Sequence, residues 1–343
     1  MTCRRCVVGV SVLMVAFSVA FLSCGPKEKP AGPGGQGGLT ILIPASLAAP
    51  MEGVAAEFEK LYPAVKVQRE IAGGLDAVRM ITEQGKKADV FASSDYAVIA
   101  TMLMPKSASW YIRFARNYIQ VAFTEKSKFS DKINSSNWYE YYAQSGVKVG
   151  GVDPDADPLG YRTLMVMQLT ESHYMKKGLA GDLRKNCLAP FQPEAKPGTR
   201  VGTGLAKSIR TDGAEVVKML QAGELDYAWL YRSVIKQNGL KYIALPPEVD
   251  LSSGSFEDKY KQAKVEIAGA TPGSKRTILG EPIIYGVTIP NDAPNKEAAL
   301  NFVKVMLGPA GQQVFDKNAQ KQLVPCEASD KTKVPAELAT LCK

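Results

Sequence analysis

The chain has 343 residues, of which 45% are hydrophobic, 22% charged and 8% aromatic. This is ordinary globular composition with room for about two domains, and it excludes intrinsic disorder, collagen and a small disulfide scaffold. Lys and Arg number 42 against 34 Asp and Glu, but they are scattered rather than massed into a tract that could follow a phosphate backbone. Nucleic acid is therefore not an expected partner. With one histidine, His173, a multi-histidine metal centre is impossible.

In chain order, the first segment reads as an address. Arg4 and Arg5 precede an apolar run of 16 residues, Val7 to Leu22, too short to favour a spanning helix and suited to a secretory signal core. Phe21, Leu22, Ser23 and Cys24 resemble a bacterial lipobox, so residues 1–23 are expected to leave as a signal peptide, with Cys24 as the lipidated first residue. Residues 24–38 are rich in Gly and Pro without apolar periodicity and read as a flexible tether. The body is thus expected to be exported, to the periplasm or cell surface, and held at the membrane through lipid. Cys187, Cys326 and Cys342 then remain for an oxidising compartment; a Cys326–Cys342 bridge would staple the tail, although counting does not settle the pairing.

Leu39 to Pro44 is a short apolar strand, after which Met51, Val54, Ala55, Phe58 and Leu61 recur at helical spacing. The stretch VKVQRE reads as a second strand. Leu75, Val78 and Ile81 mark a second helix, and Ala88 to Ser93 a third strand. Strand–helix alternation implies a mainly parallel sheet covered by helices. From about residue 117 the pattern restarts with YIQVAFT, VKVGGVD, the helix LGYRTLMVMQLTESHY, a helix over Glu215 to Leu220, LDYAWLY and KYIALP. Later, IIYGVTIP is another strand and EAALNFVKVMLG a helix stopped by Gly308-Pro309. The expected organisation is α/β with two lobes, residues 39–118 plus 288–343 and residues 119–287, with hinges near 118–122 and 280–288 and a ligand cleft between the lobes.

Several catalytic and nucleotide motifs fail. The stretch around Lys207-Ser208 has Val201 and Ala206 where a P-loop needs glycine, and as a dinucleotide fingerprint Lys207 replaces the third glycine. Asp153, Asp155 and Asp157 imitate the start of a calcium loop, but Pro158 replaces the turn glycine and Leu164 the bidentate Glu. No G-x-S-x-G elbow occurs, and a lone histidine on an amphipathic helix reads as packed or solvated. An enzyme is not expected.

The blocks ASLAAP, QREIAGGLDAVRMITEQGKKADVFASSDYAVI, NSSNWYEYY, DADPLGYRTLMVMQL, LDYAWLYRSV and GEPIIYGVTIPNDAPN, in this order from about residue 39 to about 320, resemble the periplasmic tungstate/molybdate-binding proteins of ABC transporters. The resemblance implies a two-lobed periplasmic binding protein fold of type II that closes on an oxyanion and hands it to the permease subunits of an ABC importer. It implies no cofactor, no reaction and a monomer.

A tetrahedral dianion only accepts hydrogen bonds, so its site needs several protein donors and little competing water. Helix N-termini supply them. Ser46 with Leu47, Gly73 to Leu75, and Leu159 to Tyr161 fall at such termini, making Ser46, Gly74 and Gly160 candidate donors, with Tyr231 a candidate phenol. Arg162 and Arg232 beside acid-rich turns read first as structural ion pairs. The resemblance also implies an Asp and a Glu able to join the oxyanion's metal atom. Asp157 matches the first, with capping of the next helix as its alternative role, while Leu230 stands at the Glu and Gly74 at a serine. Sulfate, another small anion or an organic solute is the alternative cargo; an organic solute calls for aromatic platforms, for which Trp110, Trp138 and Trp229 are the available tryptophans.

Overall fold

The computed structural model describes residues 37–142, 144, 146–175, 209–210, 212–269 and 273–343. The signal peptide, Cys24, nearly all of the tether, Cys187 and the glycine-rich stretch around Gly202 lie outside the described residues. The predicted alternation appears as β1 (Gly37–Ile43), α1 (Ala48–Leu61), β2 (Val65–Ile71), α2 (Gly74–Thr82) and β3 (Val90–Ser93), with a single 3-10 turn, Ala45–Leu47, between β1 and α1. A short α3 (Tyr96–Val98) leads to β4 (Ile112–Arg116), β5 (Ile119–Phe123), α4 (Trp138–Tyr142), β6 (Val149–Val152) and α5 (Pro158–Met175). Then come β7 (Ile209–Arg210), α6 (Gly213–Ala222), β8 (Tyr227–Tyr231), α7 (Arg232–Gln237), β9 (Lys241–Ile243) and α8 (Glu257–Tyr260). The chain finishes with β10 (Lys264–Ala268), β11 (Lys275–Leu279), β12 (Ile284–Thr288), α9 (Lys296–Leu307), α10 (Pro309–Lys317), β13 (Gln322–Ala328) and α11 (Ala336–Ala339).

These strands build two large sheets, ordered β13-β4-β12-β3-β1-β2 and β7-β6-β8-β5-β9, and a separate β10-β11 hairpin. Each sheet is mixed, which corrects the expectation of mainly parallel sheets. The runs β2-β1-β3 and β7-β6-β8 are parallel, whereas β12, β4 and β13 in the first sheet and β5 and β9 in the second are antiparallel to their neighbours. At β5 the reason is the path between the lobes. The chain passes from β4 to β5 through Asn117 and Tyr118 alone, with no helical crossover, and a strand entered directly need not run parallel to its neighbours. Strand β12, which the sequence reading divided at residue 288, lies wholly in the first sheet. The two crossings run side by side, with Asn117 N–H donating to Ile283 O at 3.2 Å.

The first lobe's core takes the predicted face of α1: Met51, Val54, Ala55 and Phe58 are buried, and Phe58 meets Phe302 of α9 edge-to-face at 5.4 Å between ring centres. Leu61, the last of that spacing, ends the helix and is 64% exposed. In the second lobe Trp138 and Trp229 pack edge-to-face at 5.8 Å, with the Trp138 indole N–H donating to Tyr174 at 3.3 Å and that of Trp229 to Tyr142. Trp110 is also buried. All three tryptophans are therefore core residues rather than platforms for an organic solute. Helix α6 is closed at both ends: Asp212 accepts from the amides of Ala214 and Glu215 at 2.7 and 3.1 Å, and Gly223 supplies the left-handed residue at φ 80°. Among the described residues no helix is long and apolar enough to cross a membrane.

Candidate functional site

Because β1 and β3 are parallel neighbours, their C-terminal ends deliver Ser46 and the run Ser93-Ser94-Asp95 to one edge of the first sheet, where open α/β sheets carry their ligands. Asp157, directly before α5, and Tyr161 and Arg162 near its start come from the other lobe, and β8 ends on Tyr231. Asn117 lies on the crossing and Tyr285 on β12. All of these residues are buried.

Two groups of contacts knit the lobes. In the first, the Tyr285 phenol donates to Ser46 Oγ at 2.9 Å and accepts from Asn117 Nδ2 at 3.0 Å, while the same Asn117 amide donates to Ser233 Oγ at 2.8 Å. Tyr231 lies 6.0 Å from Tyr285 between ring centres. The Arg162 guanidinium, 2% exposed, donates from Nη1 to Ser94 O and to the Tyr231 phenol at 3.3 Å, and its Nη2 is 3.3 Å from Asp95 Oδ1. Tyr161 donates its phenol proton to the other Asp95 oxygen. Nη2 of Arg162 and Oγ of Ser94 are buried without a hydrogen bond of good geometry, which leaves donor capacity within the cluster.

The second group joins helix ends. Asp157 accepts from Leu159 N–H at 2.7 Å in its own helix and from Gly74 N–H at 3.1 Å across the cleft. The amides of Leu75 and Asp76 donate to Ala156 O at 3.1 and 3.3 Å. The second lobe thus caps the N-terminus of α2, and a carboxylate oxygen stands where that helix end favours negative charge. Gly74 is close-packed: a Cβ there would lie 3.0 Å from both Pro158 Cδ and Ser93 Oγ.

Burial sets the electrostatics. It pushes the Asp157 carboxyl up to about 6, against the two amide bonds and the Arg162 charge, which pull down. Glu281, which accepts from Tyr96 at 3.1 Å, is pushed up to about 7 by burial and then by Asp95. The Tyr231 phenol is pushed up to about 12 by burial and stays a neutral donor.

The structure brings Ser46, Gly74, Asp157 and Tyr231 into this one polar region. Gly160 plays a different part from the donor predicted for it. Its amide is spent on Asp157 O at 2.9 Å, and a Cβ would lie 2.6 Å from Asp153 backbone atoms, so glycine there lets α5 pack on its own approach loop. Arg162 makes the expected ion pair, but across the cleft. Arg232 lies outside the cluster, its guanidinium 4.0 Å over the Tyr242 ring. Leu230 is fully buried, with its methyl 3.9 Å from the point a Gly213 Cβ would occupy. Sequence reasoning missed Ser93, Ser94, Asp95, Asn117 and Tyr285, and it named Tyr161 only as part of a helix start, not for its phenol. The polar run Ser93-Ser94-Asp95 directly after a wholly apolar strand was the available signal for three of them.

A family profile for bacterial extracellular solute-binding proteins matches residues 39–318. The chain belongs to that family. Two relatives of this solute-binding protein are titled molybdate/tungstate-binding protein WtpA. That of Pyrococcus abyssi is 38% identical over 296 residues, covering 84% of this chain and 85% of its own; that of Thermococcus kodakarensis is 38% identical over 303 residues, covering 84% and 82%. Among solved structures, the periplasmic molybdate-binding protein of Azotobacter vinelandii shares the fold with a TM-score of 0.54 at 16% identity, over 82% of this chain and 98% of its own. The sulfate-binding protein SubI of Mycobacterium tuberculosis does so with 0.56 at 13%, over 89% and 90%. The fold is that of the two-lobed binding proteins, and the family is one of solute carriers rather than an enzyme class.

Proposed function

We propose that this protein is the receptor of an ABC importer that takes up tungstate or molybdate, tethered to the membrane through lipid on Cys24 and delivering its cargo to the permease subunits. The observation that carries the reading is the buried cross-lobe cluster of Ser46, Ser94, Arg162, Tyr231 and Tyr285, in which one guanidinium and four hydroxyls converge without a free tryptophan face. The two WtpA relatives support the choice of cargo. Each hydrogen bond to a charged group is worth roughly 1.5–3 kcal/mol, so a handful offsets much of the anion's dehydration.

In this reading Gly74 and Asp157 act at the rim of the site. Asp157 latches the lobes by accepting from both helix ends, and its carboxyl is poised to take up a proton as a dianion arrives beside it. Its joining the metal atom directly would use a lone pair left over from those amide bonds. Leu230 supplies no second carboxylate, so the bound anion stays below six-coordinate. That departure is also what favours sulfate as the second reading, since sulfate never expands its coordination.

Isothermal titration with tungstate, molybdate, sulfate and phosphate tests the proposal. Tight binding of tungstate and molybdate with weak sulfate is expected. Sulfate binding tightest would transfer the assignment to the second reading, and no heat with any of the four would remove the oxyanion.

A further inference from the structure

The C-terminal end of the chain carries a feature that solute binding does not use. Strand β13 is the edge of the first sheet, and β4 covers one of its sides. The last residues of the chain cover the other: Cys326 N–H donates to Leu341 O at 3.1 Å and Lys343 N–H donates to Cys326 O at 2.8 Å. These two bonds bracket Cys342 as the parallel bridge partner of Cys326. Directly opposed residues on adjacent strands have Cα atoms about 5 Å apart and side chains on the same side, inside the roughly 4.4–6.8 Å window that a disulfide requires. Both cysteines are buried, 2% and 8% exposed, and both are free thiols in the structure, bonded only to nearby carbonyls: Cys326 Sγ to Leu323 O and Cys342 Sγ to Leu338 O. Val334 and Leu338, buried between them in sequence, hold the intervening tail in register.

We infer that Cys326 and Cys342 are a disulfide site, oxidised in the exported protein to staple the C-terminal tail to the edge of the first sheet. Each thiol loses its proton. The two electrons pass to the disulfide of an exported thiol oxidoreductase or of oxidised glutathione, which leaves as two thiols after a mixed-disulfide intermediate. The environment also sets the timing. Burial, with Cys342 alongside, pushes the Cys326 thiol up to about 12, so almost none is thiolate at neutral pH in the folded protein. The exchange therefore occurs before the tail docks, and the finished bond resists reductants that cannot reach it. The bridge closes a loop of about 16 residues, which removes freedom from the unfolded chain.

The test uses the full chain purified from outside the cytoplasm. It is denatured without reductant, alkylated with iodoacetamide, digested and weighed. The expected product is one cross-linked peptide pair containing Cys326 and Cys342, lighter by two hydrogens than the sum of its parts and released by dithiothreitol. Cys342→Ser, prepared the same way, should melt roughly 3–6 °C lower, and prolonged dithiothreitol under partly unfolding conditions should lower the parent alone. Both cysteines recovered fully alkylated, or either found linked to Cys187, overturns the inference. The digest needs no variant to fold, and its result is independent of which anion the protein binds.

Discussion

Removing one oxygen from Tyr231 separates a binding role from a packing role. In Tyr231→Phe the ring keeps its place beside Tyr285, and Arg162 Nη1, which loses a long bond of 3.3 Å, still donates to Ser94 O. The unliganded protein should therefore lose about 1 kcal/mol of stability or less. With an anion bound, the phenol donates to a full negative charge, an interaction worth roughly 1.5–3 kcal/mol, so the Kd for tungstate should rise about 10- to 150-fold. Calorimetric titration at pH 7.5 reads the affinity, and thermal unfolding without ligand reads the fold. An affinity within a factor of two of the parent, at an unchanged unfolding midpoint, would mean that the phenol serves packing alone and that the anion lies elsewhere.

Gly74→Val should wedge the lobes apart, because even a Cβ lies 3.0 Å from Pro158 Cδ; tungstate affinity should fall roughly 10- to 100-fold, and protection from protease by ligand should shrink with it. Asp157 has a folded-state pKa of about 6 against an ordinary 3.8, so its contribution is most favourable below pH 4 and is lost as pH rises through 6, on the order of 3 kcal/mol in all. Asp157→Asn should flatten this part of the denaturant-unfolding curve against pH, and a slope identical to the parent's would show that the carboxyl ionises freely. Because a dianion raises the pKa of nearby acids, Asp157 and Glu281 should take up protons when tungstate binds. The Kd should then tighten as pH falls from 8 to 6, by up to about tenfold per pH unit for each proton taken up, with binding heats that differ between HEPES and Tris; buffer-independent heats would contradict this.

Most of the framework was legible because its signals are local. The apolar run before Pro44, the spacing from Met51 to Phe58 and the wholly buried β8 are set by residues within one element. Strand β4 escaped because Ala115 and Arg116 break the alternation that Ile112, Arg113 and Phe114 begin, and β13 because it contains Pro325, which an edge strand tolerates and a central strand does not. At the site, Ser46 and Gly74 could be marked because helix starts announce themselves, and Asp157 through the family resemblance. Their partners could not. Ser46 meets Tyr285 across 239 positions of chain, and Arg162 meets Asp95 and Ser94 from another lobe, so nothing near Arg162 in sequence says which acid it faces. The same holds for Gly160. Its place at a helix start suggested a free amide, and only the close approach of Asp153 shows why glycine stands there.

In the proposed reading a small multiply charged anion lies between the lobes among Ser46, Ser94, Arg162, Tyr231 and Tyr285. A crystal structure grown with tungstate, with data collected at the tungsten absorption edge, tests it most directly. One dominant anomalous peak is expected within about 4 Å of Arg162 Nη2 and the Tyr231 phenol, a distance set by hydrogen-bonded oxyanion oxygens around the metal. A peak on the outer surface of either lobe, with the cluster still closed on itself, would contradict it.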